Sequence, residues 1–238
     1  MQRMSDTAVS ALRGISSMAT RLVLADLIAA YAQQQPSAPA ISIESVGGVD
    51  AARRVAADEP FDLVVLASDA IDKLEAAGKV LPGSRVDLVR SGVALAVREG
   101  APVPRIDSEA DVRQAVLAAR NLSYSTGPSG VALARLFERW GLADVLRERI
   151  VQAPPGVPVG TLVARGDVEL GFQQLSELLH VDGITLLGPL PDAIQITTTF
   201  SAAVCSTARQ PDAARAFIAF MASPEAMDAK KRQGMDPA

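Results

Sequence analysis

The chain has 238 residues, of which 49% are hydrophobic, so it can fill one large or two modest cores and is not of the disordered class. Its net charge is −4 and its lysines and arginines are scattered among acidic residues, which argues against a nucleic-acid partner. One cysteine, Cys205, excludes an intrachain disulfide, and one histidine, His180, leaves too few ligands for an ordinary zinc site. No cofactor is expected.

No apolar run reaches the length that crosses a membrane, so membrane insertion is not expected. The first residues, MQRMSDTAVSALRG, lack the continuous apolar core and the small-residue cleavage site of a signal peptide. As written, the sequence therefore predicts a cytoplasmic protein. Removal of a leader from the natural protein would make the expected location periplasmic.

The first third of the chain alternates between strand-like and helix-like patterns. In chain order these are a strand at 11–15, a helix at 16–36, a strand at 40–45, a helix at 49–59, a strand at 61–68 and a helix at 68–80. The strands are short and apolar, whereas the helices repeat apolar residues at helical spacing. This alternation predicts a parallel sheet with helices on both faces.

The rest of the chain contains two long strand-like segments, 85–100 and 195–207, with a second set of elements between them. The shorter elements are helices at 108–119, 128–141 and 157–167 and strands at 121–125, 149–154, 168–174 and 183–191. Two helices between residues 211 and 234 close the chain. Two α/β units are expected, joined by the long strands, with the last helices returning to the first unit.

Four stretches carry a family resemblance: FDLVVLASDAIDKL, VRSGVALAVREGAPVPRI, LVARGDVELGFQQLSELL and GPLPDAIQITTTFSAAV. With the ending AFIAFMASPEA, they resemble the molybdate-binding-like substrate-binding proteins of ABC transporters, which have the type 2 periplasmic-binding-protein fold. The resemblance implies an α/β fold of two lobes, each a central β-sheet flanked by helices, with two hinge strands. Lobe 1 is expected to combine 1–88 with 200–238, and lobe 2 to be the inserted segment 89–199.

The resemblance also implies a function. Such a protein binds a small oxyanion of the molybdate or tungstate type, or a small organic carboxylate, between its lobes without catalysis. It would serve as the solute-binding component of an ABC-type uptake system and close over its ligand by hinge bending. The expected partners are the small anion and a transporter permease, and the protein is expected to be a monomer.

The resemblance places four groups of residues around the anion, where hydroxyls and helix N-termini supply neutral donors. They are Ser16, Ser17 and Met18; Gly47 and Gly48; Ser125, Thr126, Gly127 and Ser129; and Gln173 and Gln174. The second group lacks the hydroxyl that molybdate binders often carry there. Arg90 is a further candidate, since a guanidinium suits a carboxylate. The alternatives are that the serines only cap a helix, and that the glutamines and Arg90 lie at the surface.

The stretch SYSTGPSG (123–130) does not match either of two enzyme motifs that it resembles. It has no lysine for a Walker phosphate loop, and its second glycine stands one place too early for a nucleophile elbow. The acidic residues lie mostly on polar helix faces, so no acid–base pair is recognisable. The sequence therefore predicts a protein that is not an enzyme. The alternative is a cytoplasmic relative acting as a small-acid sensor, or as an isomerase or lyase with a carboxylate base.

Overall fold

The computed structural model describes residues 11–154 and 157–238, so residues 1–10, which bear on the question of a leader, lie outside it. The strands are β1 (Leu12–Ser17), β2 (Ile41–Val46), β3 (Leu63–Ala67), β4 (Val86–Arg98), β5 (Leu122–Tyr124), β6 (Leu170–Gln174), β7 (Ile184–Pro189), β8 (Thr197–Val204) and β9 (Asp236–Pro237). The helices are α1 (Arg21–Gln34), α2 (Gly48–Ala56), α3 (Ser68–Ala76), α4 (Glu109–Ala118), α5 (Pro128–Arg139), α6 (Ala143–Leu146), α7 (Val159–Arg165), α8 (Leu175–Leu178), α9 (Pro211–Ala222) and α10 (Met227–Arg232). No helix within the described residues is long and apolar enough to cross a membrane.

The described strands join in the order β2-β1-β3-β8-β4-β6-β5, with β7 and β9 pairing to β4. Strand β1 is parallel to β2 and β3, and β5 is parallel to β6. Strands β8 and β4 run antiparallel to their neighbours. The mixed α/β class predicted from the alternating pattern is confirmed.

Strand β4 links the two halves of the sheet. Its first part, Val86 to Gly92, pairs with β8, whereas from Val93 onward it pairs with β6 and β7. The long strand-like run predicted from the sequence is therefore a single strand that changes partners part-way along its 13 residues.

Each half of the sheet has apolar clusters of its own. In the first half, one cluster includes Leu24 and Phe217 and another includes Ile15 and Phe61. In the second half, the largest cluster contains Phe137, which contacts the ring of Phe172 edge-on at 5.8 Å between ring centroids. Burial of β-branched and aromatic residues on both faces explains why the strands read as continuous apolar runs. The lobe boundaries at 88/89 and 199/200 stay a prediction.

One predicted strand, 149–154, is not a strand. Only Ile150 forms an isolated bridge, to Leu122, and backbone bonds from Leu122 to Arg149 and from Val151 to Leu122 hold the segment beside β5. Pro154 follows three residues after Val151, and proline has no N–H with which to extend a ladder.

The start of the first helix also differs from the prediction. Ser16 and Ser17 are the last residues of β1, a 3₁₀ turn follows at Met18–Thr20, and α1 begins at Arg21. The Ser17 side chain makes no capping hydrogen bond. The interpretation of these serines as ordinary helix caps is therefore wrong. By contrast, Ser108 does cap α4, since its side chain accepts from the Asp111 N–H at 3.2 Å.

Candidate ligand-binding cleft

The predicted site residues lie where parallel strands end. Ser16 and Ser17 end β1, Gly47 and Gly48 follow β2, the 125–129 stretch follows β5, and Gln173 and Gln174 end β6. Ligands of open α/β sheets bind outside these carboxyl ends. Between the halves of the sheet, α8 packs against the turn after β1, where the Ser176 hydroxyl donates to the Ala19 carbonyl at 2.9 Å. This contact brings the end of β6 close to the end of β1.

Ser17 carries a hydroxyl without a protein partner. Its Oγ is buried and makes no hydrogen bond within the described chain, although leaving a buried hydroxyl unpaired costs free energy. The neighbouring Met18 is partly exposed. An anion in the cleft would give the Ser17 hydroxyl the acceptor that the protein does not supply.

The structure joins the first and second groups. The Ser16 Oγ lies 2.8 Å from the Ser45 Oγ, and a Cβ built on Gly48 would lie 3.7 Å from the Ser17 Cβ. Gly47 is exposed and precedes α2 in an extended conformation. The hydroxyl that the sequence lacks at 46–48 is thus present one residue earlier, on Ser45. Ser45 belongs to the alternating pattern of the predicted strand, so the sequence offered no reason to single it out.

The third group is built around the start of α5. The hydroxyls of Ser125 and Ser129 lie 3.0 Å apart, Ser129 is buried and Thr126 is exposed. Gly127 occupies the N-cap position but provides no side-chain cap, so the first N–H groups of the helix are open to a ligand. A Cβ on Gly130 would lie 1.6 Å from the Ser125 carbonyl oxygen, so glycine is required for this close approach.

The fourth group is buried rather than at the surface. Gln174 donates from Nε2 to the Thr198 hydroxyl at 2.9 Å, while its Oε1 is buried without a partner within the described residues. Gln173 accepts from the Gly160 N–H at 3.1 Å and donates to Glu177 Oε1 at 2.8 Å. The two amides therefore connect β6 with β8, α7 and α8.

Glu177 is not among the predicted site residues, because the sequence pattern places the acidic residues mostly on solvated helix faces. Burial raises the pKa of the Glu177 carboxyl to about 7, and the hydrogen bond from Gln173 lowers that pKa by less. One feature of the sequence could have indicated Glu177: it stands three residues after the predicted strand 168–174, which ends at the cleft. Hydroxyls at Ser45, Ser68 and Thr198 were also missed; Ser68 is already bonded to the Thr199 carbonyl and the Ser201 hydroxyl.

Arg90 lies apart from these contacts. Its side chain is exposed, its Nη2 donates to the Pro237 carbonyl at 3.1 Å, and its backbone pairs with Asp236 of β9. No described contact joins its guanidinium to the serines or glutamines. A role for Arg90 in carboxylate binding stays a prediction.

The family model of the bacterial extracellular solute-binding proteins matches residues 12–236. The chain belongs to this family. Two solved structures share the fold of this solute-binding protein. The periplasmic molybdate-binding protein of Azotobacter vinelandii has a TM-score of 0.80 at 22% identity and covers 94% of this chain and 98% of its own. The sulfate-binding protein SubI of Mycobacterium tuberculosis has a TM-score of 0.78 at 17% identity, with coverages of 96% and 87%. The predicted family and its two-lobed fold are confirmed.

Two relatives align over most of this solute-binding protein. The aconitate isomerase of a Pseudomonas species is 43% identical over 187 residues, which is 77% of this chain and 70% of the relative. The molybdate-binding protein ModA of Azotobacter vinelandii is 26% identical over 182 residues, or 74% and 70%. The first relative contradicts the expectation that the protein is not an enzyme. That expectation is wrong because a binding-protein fold does not by itself exclude catalysis.

Proposed function

We propose that this member of the solute-binding family is an isomerase that acts on aconitate, or on a closely similar small tricarboxylate, in the cleft. The observation that carries the proposal is the 43% identity over 187 residues to a relative named aconitate isomerase. The isomerase alternative that the sequence left open is therefore favoured over the sensor and the lyase.

The reaction can be written without any co-reactant. Aconitate is a propene bearing three carboxylates, and its methylene hydrogens lie next to both a carboxylate and the double bond. A base removes one of these protons, and the electron pair spreads over the allyl unit. Return of the proton to the former vinyl carbon moves the double bond and can give the other geometric isomer. One C–H bond breaks and one forms, so the step needs only a positioned proton carrier.

The cleft offers neutral donors suited to several carboxylates. The unpaired Ser17 hydroxyl lies on one side, and the hydroxyls of Ser125 and Ser129 lie at the start of the 12-residue helix α5 on the other. The open N–H groups and the partial positive charge of that helix end favour anions. Binding across both sides would hold the substrate in one orientation while the double bond moves.

The second candidate is anion binding without turnover, as the sequence predicted. The molybdate-binding protein of Azotobacter vinelandii, with its TM-score of 0.80, favours this candidate. In that role the protein would act outside the cytoplasm, which membership of an extracellular family supports, and deliver the anion to an ABC-transporter permease. The same donors serve an oxyanion and a carboxylate, so the distinction needs a measurement of turnover.

The test is incubation of the purified protein with cis-aconitate, followed by chromatographic separation of the cis and trans isomers. We expect the trans isomer to accumulate to equilibrium, and heat-denatured protein to give none. In parallel, thermal unfolding is measured with aconitate, molybdate and sulfate, because a ligand of the folded state raises Tm. Stabilisation by molybdate with no isomerisation would reject the isomerase and favour the second candidate.

A further inference from the structure

We propose that Glu177 is the catalytic proton carrier of this isomerisation, taking the proton from one end of the allyl unit and returning it to the other. The inference rests on the proposed isomerase function. It names the residue that performs the step.

The position of Glu177 is the first support. Helix α8 begins directly after Gln174, at the carboxyl end of β6, and Ser176 ties it to the turn after β1 through the Ala19 carbonyl at 2.9 Å. Glu177 therefore belongs to the short helix that touches both sides of the cleft. Its carboxylate is bonded to Gln173, one of the two glutamines that end β6, so it adjoins the fourth group of predicted site residues.

The orientation of the carboxylate is the second support. Gln173 donates to Glu177 Oε1 at 2.8 Å, and the other end of the Gln173 amide is fixed by the Gly160 N–H at 3.1 Å. The second oxygen, Oε2, has no hydrogen-bond partner among residues 11–154 and 157–238, and the side chain keeps some access to solvent. One oxygen is thus held in place, while the other is free to exchange a proton.

The protonation behaviour of Glu177 fits the task. The elements packed against α8 are β4, β6, β7 and the turn at Met18–Thr20. Burial and the Gln173 hydrogen bond set its pKa at about 7, and no charged neighbour contributes to the shift. A carboxyl group that is ionised in part of the molecules at neutral pH can both accept and return a proton.

The other perturbed carboxyls of the described chain differ from Glu177. Hydrogen bonds lower the pKa of each, through arginine at Glu44, Glu59 and Glu169, through Trp140 and Arg139 at Glu109, and through serine at Asp87 and Glu225. Such groups stay ionised near neutral pH and are weak bases. Glu177 differs from all of these in having a raised pKa and in its hydrogen bond to Gln173 at the end of β6.

The proton balance is complete within the site. Ionised Glu177 takes a methylene proton, which breaks one C–H bond and leaves the electron pair in the allyl system and its carboxylates. The neutral carboxyl, whose proton can exchange with solvent, then protonates the former vinyl carbon, which forms the new C–H bond. Glu177 ends the cycle ionised, as it began, and neither oxidant nor water is consumed.

The test compares wild-type protein with Glu177→Gln, which keeps the size and polarity of the side chain but cannot carry the proton. We expect kcat for aconitate isomerisation to fall at least about 100-fold, the low end of general acid–base contributions, while aconitate still raises Tm. Glu148→Gln, at an exposed position, is the matched control and should keep wild-type kcat. An E177Q variant within about threefold of the wild-type kcat would overturn the assignment.

A second measurement needs no variant and so does not depend on folding of E177Q. The kcat of the wild-type protein should rise with pH through an apparent pKa near 7, because the ionised carboxylate accepts the proton. A kcat that is constant from pH 5 to 9 would overturn the assignment even if isomerisation occurs. Absence of turnover by wild-type protein would instead reject the proposed isomerase function, and the role of Glu177 with it.

Discussion

Three side chains at the cleft have unusual polar groups: two have buried atoms without a hydrogen-bond partner, and one has a shifted pKa. Ser17 Oγ and Gln174 Oε1 are buried without partners in the described part of the chain, and Glu177 has a raised pKa. Each of these features lowers stability, since burial of an unpaired polar group or of a charge is unfavourable. These three groups lie at or just after the ends of β1 and β6, as expected of a binding or catalytic site, whereas the unpaired hydroxyls of Ser91 and Ser123 lie within β4 and β5.

Replacing Ser17 with alanine tests the binding role of its hydroxyl. We expect aconitate affinity, measured by calorimetry, to fall by about 1–3 kcal/mol, because a donor to a buried anion is lost. The free energy of unfolding should stay the same or rise, since the substitution removes a buried hydroxyl that has no protein partner in the described structure. Ser123→Ala removes another buried, unpaired hydroxyl, within β5, and should leave affinity intact. Equal loss in both variants would place the ligand elsewhere.

Replacing Glu177 with glutamine also changes how stability depends on pH. Because the pKa rises from 4.5 in the unfolded chain to about 7 in the folded protein, the folded state holds this proton more tightly. The wild-type protein therefore loses stability as pH rises through that window, by up to about 3 kcal/mol, whereas E177Q does not. Urea unfolding at pH 5 and pH 8 measures this difference. If the difference in free energy of unfolding between wild type and E177Q is the same at both pH values, the raised pKa of Glu177 is contradicted.

At the scale of elements, the junctions between strands and helices shape the site. Helix α5 starts directly against the chain that precedes it, because Gly130 allows the Ser125 carbonyl to approach its backbone. On the first half of the sheet, Asp62 accepts hydrogen bonds from the backbone N–H groups of Arg13, Arg209 and Gln210. This carboxylate thereby joins β1 to the segment that leads into α9.

Gly130→Ala should destabilise the protein by about 3 kcal/mol and weaken aconitate binding, because its Cβ would displace the Ser125 carbonyl. Gly127→Ala is the matched control, since a Cβ there meets nothing within 4 Å and its backbone is extended. Denaturant unfolding of both variants measures the difference. Equal stability of the two would mean that α5 does not pack as described.

Asp62→Asn should lower the free energy of unfolding by about 2–3 kcal/mol, since both carboxylate oxygens accept N–H donors and an amide can accept at only one. The control is Asp69→Asn at an exposed ion pair with Lys73, where we expect a change below about 0.5 kcal/mol. A change as small in D62N as in D69N would show that Asp62 does not bear these hydrogen bonds.

Elements with strong periodicity could be predicted from the sequence, and weak ones could not. The fully buried β3 and the start of α5 at Pro128 follow from apolar runs and from proline at the first helical position. The apolar residues of the segment 149–154 are typical of a strand, yet pairing there is limited to a bridge at Ile150. Strand pairing depends on the neighbouring chain, which a local pattern does not contain.

At the scale of the whole molecule, two α/β halves share strand β4, with β8 pairing beside its first part. The resemblance to binding proteins predicted this architecture, because the fold follows from the order of many elements. It left an isomerase only as the alternative, because the proposed proton transfer depends on the burial and contacts of one residue, Glu177, rather than on the fold. The boundaries at 88/89 and 199/200 remain a proposal for where one lobe moves against the other.

Because hydrogen-bond donors lie on both sides of the proposed cleft, we expect the two lobes to close when a ligand binds. Saturating aconitate should reduce the radius of gyration measured by small-angle scattering, because one ligand contacts both lobes and favours the closed state. Ser17→Ala at the same aconitate concentration should show a smaller reduction. An unchanged radius of gyration with the wild-type cleft fully occupied would contradict hinge closure.

Proton NMR of cis-aconitate incubated with the wild-type protein in deuterium oxide tests most directly whether this binding fold moves a proton. We predict that trans-aconitate resonances grow with time and that the carbon-bound hydrogens lose intensity, as deuterium from solvent exchanges with the proton carried by Glu177. A spectrum that stays unchanged while aconitate raises Tm would contradict catalysis and leave a protein that only binds.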